Sequence, residues 1–284
     1  MASAEDLTFE SRFQNNAVFI IDALGDSDLQ TARRLNDDLS SLQLSDGSRY
    51  CHYVKVAALS EAEGVLQEIL NSCQRGLKPV IHIEAHGSQV EGLQIADSQQ
   101  FLSWEILAQW CLRINTITGN NLGVVLASCF GLYAITPITI HNPCPFYFLI
   151  GSNRTVSAGY IDDTMCRFYQ RLFDERNLDE AMREVDEEFK QFQAEKFFCI
   201  TFGKYMRRAC MGKGANERVE KLISAALACG SPRTAENLKR LRASAKQFVR
   251  SLDRQRETYE KIGRFFLHGK LPIEFEEFAR FVRR

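Results

Sequence analysis

The 284-residue chain, 45% hydrophobic and 25% charged, is long enough for one α/β domain of roughly 200 residues plus a smaller unit, and its composition excludes a disordered protein. Its nine cysteines fall without CxxC pairs or Cys/His clusters at zinc spacing. That argues against a disulfide framework or a structural metal and for a reducing, cytoplasmic setting.

The opening MASAEDLTFESRFQNN lacks the basic region and apolar core of a signal peptide, and no run approaches the length of a membrane span. Residues 17–24, AVFIIDAL, read as a first buried strand. Gly25-Asp26-Ser27-Asp28 then supplies a turn and capping residues for a helix through Leu42. Residues 50–57 form a second strand candidate. Ser60 with Glu63 reads as a capping box for a helix running to about Arg75, ahead of Gly76. The third strand is Pro79 to Ala85. Strands alternating with helices at this spacing imply right-handed crossovers and a mostly parallel sheet flanked by helices.

Residues 88–97 read as a hairpin or loop over the end of that strand, and residues 101–114 as an amphipathic helix whose Trp104 and Trp110 pack in the core. After the Gly119-Asn120-Asn121 turn comes the strand GVVLASCFG, residues 123–131. The proline-bearing stretch 132–145 is a loop, residues 146–150 a further strand, and residues 155–169 a helix leading to Leu178-Asp179-Glu180-Ala181. Residues 196–204, KFFCITFGK, alternate as a last strand near the sheet edge. Residues 207–216, with two glycines and little apolar pattern, are the linker candidate, which divides the chain into domains 1–206 and 207–284. Beyond it lie a helix over 217–229, a long helix capped by Thr234 with an apolar stripe through Phe266, and a short closing helix over 271–282.

The net charge of −1 conceals an asymmetry. Residues 1–204 carry 16 Lys and Arg against 27 Asp and Glu, whereas residues 205–284 carry 19 against 9. The C-terminal region is therefore a basic helical module, which either docks on the acidic domain or binds an acidic partner. It contains no motif of nucleic-acid recognition.

Two stretches carry chemistry, PVIHIEAHG at 79–87 and GVVLASCFG at 123–131. Each is a buried-strand run that ends on a reactive side chain close to a glycine, His86 directly before Gly87 in the first and Cys129 two residues before Gly131 in the second. The carboxyl ends of neighbouring parallel strands open onto one crevice, so these two side chains can meet although 43 residues separate them. A thiol near pKa ~8.5 needs a base to become the nucleophilic thiolate, and an adjacent imidazole supplies it. Glu84 is either an orienting carboxylate for His86 or a polar residue at a strand end. His82 reads as a core histidine, and His141 is the rival base.

The order His-Gly, then Cys roughly 50 residues later, each closing a hydrophobic strand, resembles the caspase-like cysteine peptidases. HIEAHG and LASC are closest to the CHAT and separase branch, and the elements from about residue 17 to residue 204 follow the same order. Ala127-Ser128-Cys129-Phe130-Gly131 departs from the Gln-Ala-Cys-Arg-Gly of true caspases. The resemblance implies a caspase-like fold and a cysteine endopeptidase without a cofactor, with His86 and Cys129 catalytic. It also implies an oxyanion hole built from the N–H groups of Gly87 and Cys129. Asp22, Asp162 and Asp163 would line an acidic substrate pocket for a basic P1 residue, against Arg154 as the one basic candidate. The family further implies protein or peptide substrates, regulation by an activator bound through the C-terminal helices or by processing within 207–216, and a setting in defence or cell death. The alternative is a caspase-fold scaffold that holds a peptide without cutting it.

Overall fold

The computed structural model describes residues 11–185 and 188–283. The chain forms two compact units that divide between Ala194 and Glu195. The boundary expected at 206/207 thus moves upstream, because residues 207–216 are not a linker. Helix α6 (Ala194–Cys210) runs through Arg207 and Arg208, and α7 (Gly212–Ala228) starts after the extended Met211. A Cβ on Gly214 would overlap the carbonyl oxygen of Arg208, so the two helices meet in a tight corner. Cleavage within 207–216 would require this corner to unfold.

The first unit is a mixed α/β structure around a mostly parallel six-stranded sheet. In chain order it contains β1 (Ala17–Asp22), α1 (Thr31–Leu39), β2 (Cys51–Lys55), α2 (Leu59–Cys73) and β3 (Pro79–Glu84). A small antiparallel sheet follows, β4 (His86–Ser88), β5 (Gly92–Ile95) and β6 (Gln100–Leu102), and then α3 (Trp104–Ile117) and β7 (Gly123–Ala127). The unit closes with β8 (Phe148–Gly151), α4 (Ala158–Glu175), α5 (Leu178–Ala181) and β9 (Lys190–Gln193). The main sheet has the order β2-β1-β3-β7-β8-β9, with every pair parallel except β8 and β9.

β3 and β7 are buried at every position, as expected of central parallel strands; β7 is apolar throughout, whereas β3 also buries His82 and Glu84. Val18 and Ile20 of β1, Val80 of β3, Val125 of β7 and Ile150 of β8 share a core with Leu35 of α1 and Phe168 of α4. The chain steps from β1 outward to β2 and then back across to β3. Right-handed crossovers in opposite directions place α1 and α2 on opposite faces and make β1/β3 the point where the strand order turns.

Several helix starts differ from the sequence reading. Helix α2 begins at Leu59, so Ser60 lies inside it and no Ser60–Glu63 box forms; Glu61 instead accepts from the Ala57 N–H at 2.8 Å. Neither Ser27 nor Asp28 caps α1, whose N-cap position is Gln30.

Among the described residues, the regular structure of the second unit is all helical. After α6 and α7 come α8 (Ala235–Arg250), α9 (Leu252–Phe266) and α10 (Phe275–Arg283). The strand expected at 196–204 is part of α6. Its Phe198, Phe202 and Met206 recur every four residues and are fully buried, so helical spacing wins over the alternation. Phe198 and Phe202 pack against Tyr259 of α9. The single long helix expected after Thr234 is two helices broken at Ser251, whose extended backbone and hydroxyl cap the second. The last strand of the main sheet, at the edge opposite β2, is instead β9, four residues long.

Candidate active site

The site is built where β3 and β7 end. Glu84 and Ala127 are register partners in these adjacent parallel strands, and His86 and Cys129 each stand two residues further on. His86 opens β4, the edge strand of the small sheet, where it pairs with Gln94 of β5. The turn of that hairpin is held by Ser88, whose hydroxyl accepts from the N–H of Val90 and Glu91. Trp104 donates its indole N–H to the carbonyls of Ser88 and Gln89. The imidazole of His86 is 56% exposed, which leaves it open to a ligand.

The cysteine turn is held just as closely. Phe130 adopts a left-handed conformation, φ 60° and ψ 13°, which an aromatic residue rarely takes. Its N–H donates to the Arg154 carbonyl at 3.2 Å, and the Leu132 N–H donates to the Ser152 carbonyl at 2.9 Å. The loop after β8 therefore fixes the turn that carries Cys129. Gly131 tucks beneath it, since a Cβ there would lie 2.8 Å from the Leu126 carbonyl oxygen. On the histidine side, a Cβ on Gly87 would overlap the Cys129 carbonyl oxygen. Only glycine lets the two turns approach this closely. Cys129 is a free, half-buried thiol, and the hydroxyl of its neighbour Ser128 is buried without a hydrogen-bond partner.

The carboxylate that meets His86 is Asp28, on the loop after β1. Its Oδ2 lies 3.0 Å from His86 Nε2 and also accepts from the Gly25 N–H at 2.7 Å. Burial alone would disfavour the charged carboxylate and push the pKa of Asp28 up. The Gly25 N–H, the His86 side chain and the charge of Lys55 outweigh it and hold the carboxyl below its ordinary value. The sequence reading took Asp28 for a helix cap. Its placement past β1, the neighbour of the strand that delivers His86, was the signal available.

Glu84 does not orient His86. It is buried and accepts from the Thr31 hydroxyl of α1, while its other oxygen lies 3.0 Å from His82 Nε2. His82 Nδ1 in turn lies 3.0 Å from the Tyr169 hydroxyl of α4, so His82 is a satisfied core residue. His141 is exposed on the loop that follows the cysteine.

The three candidate pocket acids are not brought together. Asp22 is fully buried, with Oδ1 accepting from the Leu24 N–H at 3.0 Å and Oδ2 accepting from the Tyr53 hydroxyl at 2.6 Å. Lys55 stands 3.7 Å from the same Oδ2. Asp162 pairs with Arg34 of α1 at 3.2 Å, and Asp163 is exposed on α4. Arg154 pairs with Glu188 at 3.2 Å. An apolar recess lies away from these groups, lined by Ala108 and Leu112 of α3 and by Pro137, Ile138, Pro143 and Pro145 of the loop after the cysteine.

Among the described residues, no three His, Cys, Asp or Glu side chains cluster so as to hold a metal ion, and no helix is long and apolar enough to cross a membrane. No protein-family model matches the sequence, and no curated protein matches it.

Proposed function

We propose that the chain is a cysteine endopeptidase in which His86 and Cys129 perform the chemistry on a peptide bond. The observation that carries this reading is the register of β3 and β7, which sets a thiol and an imidazole at equal distance past a paired residue, at the open end of the sheet. Carboxyl ends of parallel strands are where α/β proteins bind their ligands. The glycine contact between the two turns and the left-handed Phe130 add support, because strained, over-determined backbone gathers at reactive sites.

In this proposal His86 takes the Cys129 proton. The thiolate adds to the carbonyl carbon, and the oxyanion forms beside the N–H groups of Gly87 and Cys129. The C–N bond breaks as His86 protonates the departing amine. Water then hydrolyses the thioester to release the acid and regenerate the thiol. The basic C-terminal helical unit is the part of the chain we assign to an activator or regulatory partner. Since Asp22 is buried and Asp162 is paired, a basic P1 preference no longer leads, and P1 Arg, Lys, Asp and Asn are tested on equal terms.

The test is mass spectrometry after exposure to a peptidyl-acyloxymethylketone series carrying those P1 residues. A stoichiometric adduct on Cys129, lost in Cys129→Ala and slowed in His86→Ala, is the expected result and reports the P1 residue. Reaction of Cys129 with small alkylating agents but with no peptidyl reagent would favour a peptide-binding scaffold.

A further inference from the structure

We infer that Asp28 is the positioning residue of the site: it accepts the Nε2–H of His86 and so leaves Nδ1 as the nitrogen that exchanges a proton with Cys129. This rests on the peptidase reading, and it turns a pair into a Cys–His–Asp triad whose acid comes from a different strand end.

The argument starts from the ring. An imidazole has two nitrogens, and in its neutral form one donates while the other accepts. An ionised carboxylate only accepts, so the 3.0 Å approach of Asp28 Oδ2 to Nε2 makes Nε2 the protonated nitrogen. Nδ1 then carries the lone pair. Loss of the Cys129 S–H bond and gain of an Nδ1–H bond give a thiolate and an imidazolium. The new cation is hydrogen-bonded to a carboxylate that stays ionised. The same Nδ1 proton later passes to the amine leaving group, so the ring returns to its starting form.

Asp28 is itself held in place. Its backbone N–H donates to the Gly25 carbonyl at 3.1 Å, and its Oδ2 accepts from the Gly25 N–H at 2.7 Å, which closes a tight turn. The Gln30 amide donates to the carbonyls of Gly25 and Asp28, at 2.9 and 3.0 Å. Thr31, the next residue, donates its hydroxyl to Glu84 on β3, two residues before His86. The loop that carries the acid and the strand that carries the histidine are thus tied together below the site, at the turning point of the strand order. This buried tie gives Glu84 and Thr31 a role the peptide chemistry alone does not use. The charged groups that face Asp28 are His86 of β4 and Lys55 of β2. The Lys55 ammonium also donates to the Leu24 carbonyl.

The test reads the ring directly. Long-range ¹H–¹⁵N spectra of the full chain labelled in histidine, with the His86 signals assigned by their loss in His86→Gln, report which nitrogen carries the proton. The expected result is an Nε2–H ring in the wild type and a mixed population in Asp28→Asn. An Nδ1–H ring in the wild type, or an unchanged ring in Asp28→Asn, overturns the proposal. The second arm is iodoacetamide alkylation of Cys129 at pH 7, expected to slow about tenfold or more in Asp28→Asn and to recover in part in Asp28→Glu. Equal rates in the wild type and Asp28→Asn also overturn it. Both arms read out without a substrate, so failure of the peptidyl reagents tests the peptidase reading separately.

Discussion

Gly87 stands against the backbone of Cys129 so closely that a methyl group on it would overlap the cysteine's carbonyl oxygen, with the carbonyl carbon at 2.9 Å. The His-Gly pair read in the sequence therefore has a mechanical reason, since the glycine is where the histidine turn and the cysteine turn touch. Gly87→Ala must push two backbones apart, and overpacking of this kind costs about 1–3 kcal/mol. Thermal unfolding should fall by several degrees and alkylation of Cys129 should slow. Gly159, exposed on α4 with nothing within 4 Å of its Cβ position, is the contrast. Gly159→Ala is expected to stabilise the protein by about 0.5–1 kcal/mol.

The nine thiols should separate sharply under native alkylation. Cys51, Cys73, Cys111 and Cys144 are buried, and burial pushes each thiol up to about 12, so almost no thiolate is present at neutral pH. Burial also raises Cys199 and Cys166, the latter with help from Asp38. Cys129 is half-buried and Cys229 exposed. Brief iodoacetamide treatment at pH 7.5 followed by peptide mapping should label Cys129 and Cys229 first. Labelling of Cys111 or Cys144 at comparable rates would contradict the burial of these thiols.

The network beneath the site should matter for stability more than its size suggests. His82 and Glu84 have side chains 0% and 2% exposed, and each depends on the other and on Tyr169 and Thr31. Tyr169→Phe removes the hydroxyl facing His82 Nδ1 and leaves a buried polar nitrogen alone, at a cost of about 1–3 kcal/mol. Glu84→Ala orphans both His82 and Thr31 and should cost more. Denaturant midpoints of the two variants decide this, with Glu84→Ala expected below Tyr169→Phe.

What could be read in advance follows from how each signal is encoded. β1, β3 and β7 announce themselves because a strand buried on both faces is a short apolar run, and His86 and Cys129 sit where such runs end. KFFCITFGK satisfies both the strand period and the helix period, and only the continuation to Met206 and Cys210 at four-residue spacing decides for the helix. β9 offers a single apolar residue in its buried half, Phe192, and owes its place to pairing with β8. Asp28 was hidden for another reason. An aspartate after a strand is an ordinary cap, and its partner lies on a different strand end, a relation that exists only in the folded sheet. The same holds for Asp22, whose position at the end of β1 suggested a pocket although Tyr53 and Leu24 had already claimed its oxygens.

Acid should loosen the loop that carries Asp28, and the sign follows from the direction of its shift. The folded state holds this carboxyl below its ordinary value of 3.8, through Gly25, His86 and Lys55 acting against burial. A depressed carboxyl contributes stability that is fully present above the unfolded value and is lost as pH falls through the folded one. Wild type and Asp28→Asn should therefore differ most in stability at pH 5 and above, with wild type the more stable. The gap should close as pH falls below about 4, where wild type itself becomes protonated. Denaturant unfolding at pH 7, 5, 4 and 3 measures the gap directly. A gap that stays constant down to pH 3 would mean that Asp28 contributes through packing alone, and that its charge does not hold His86.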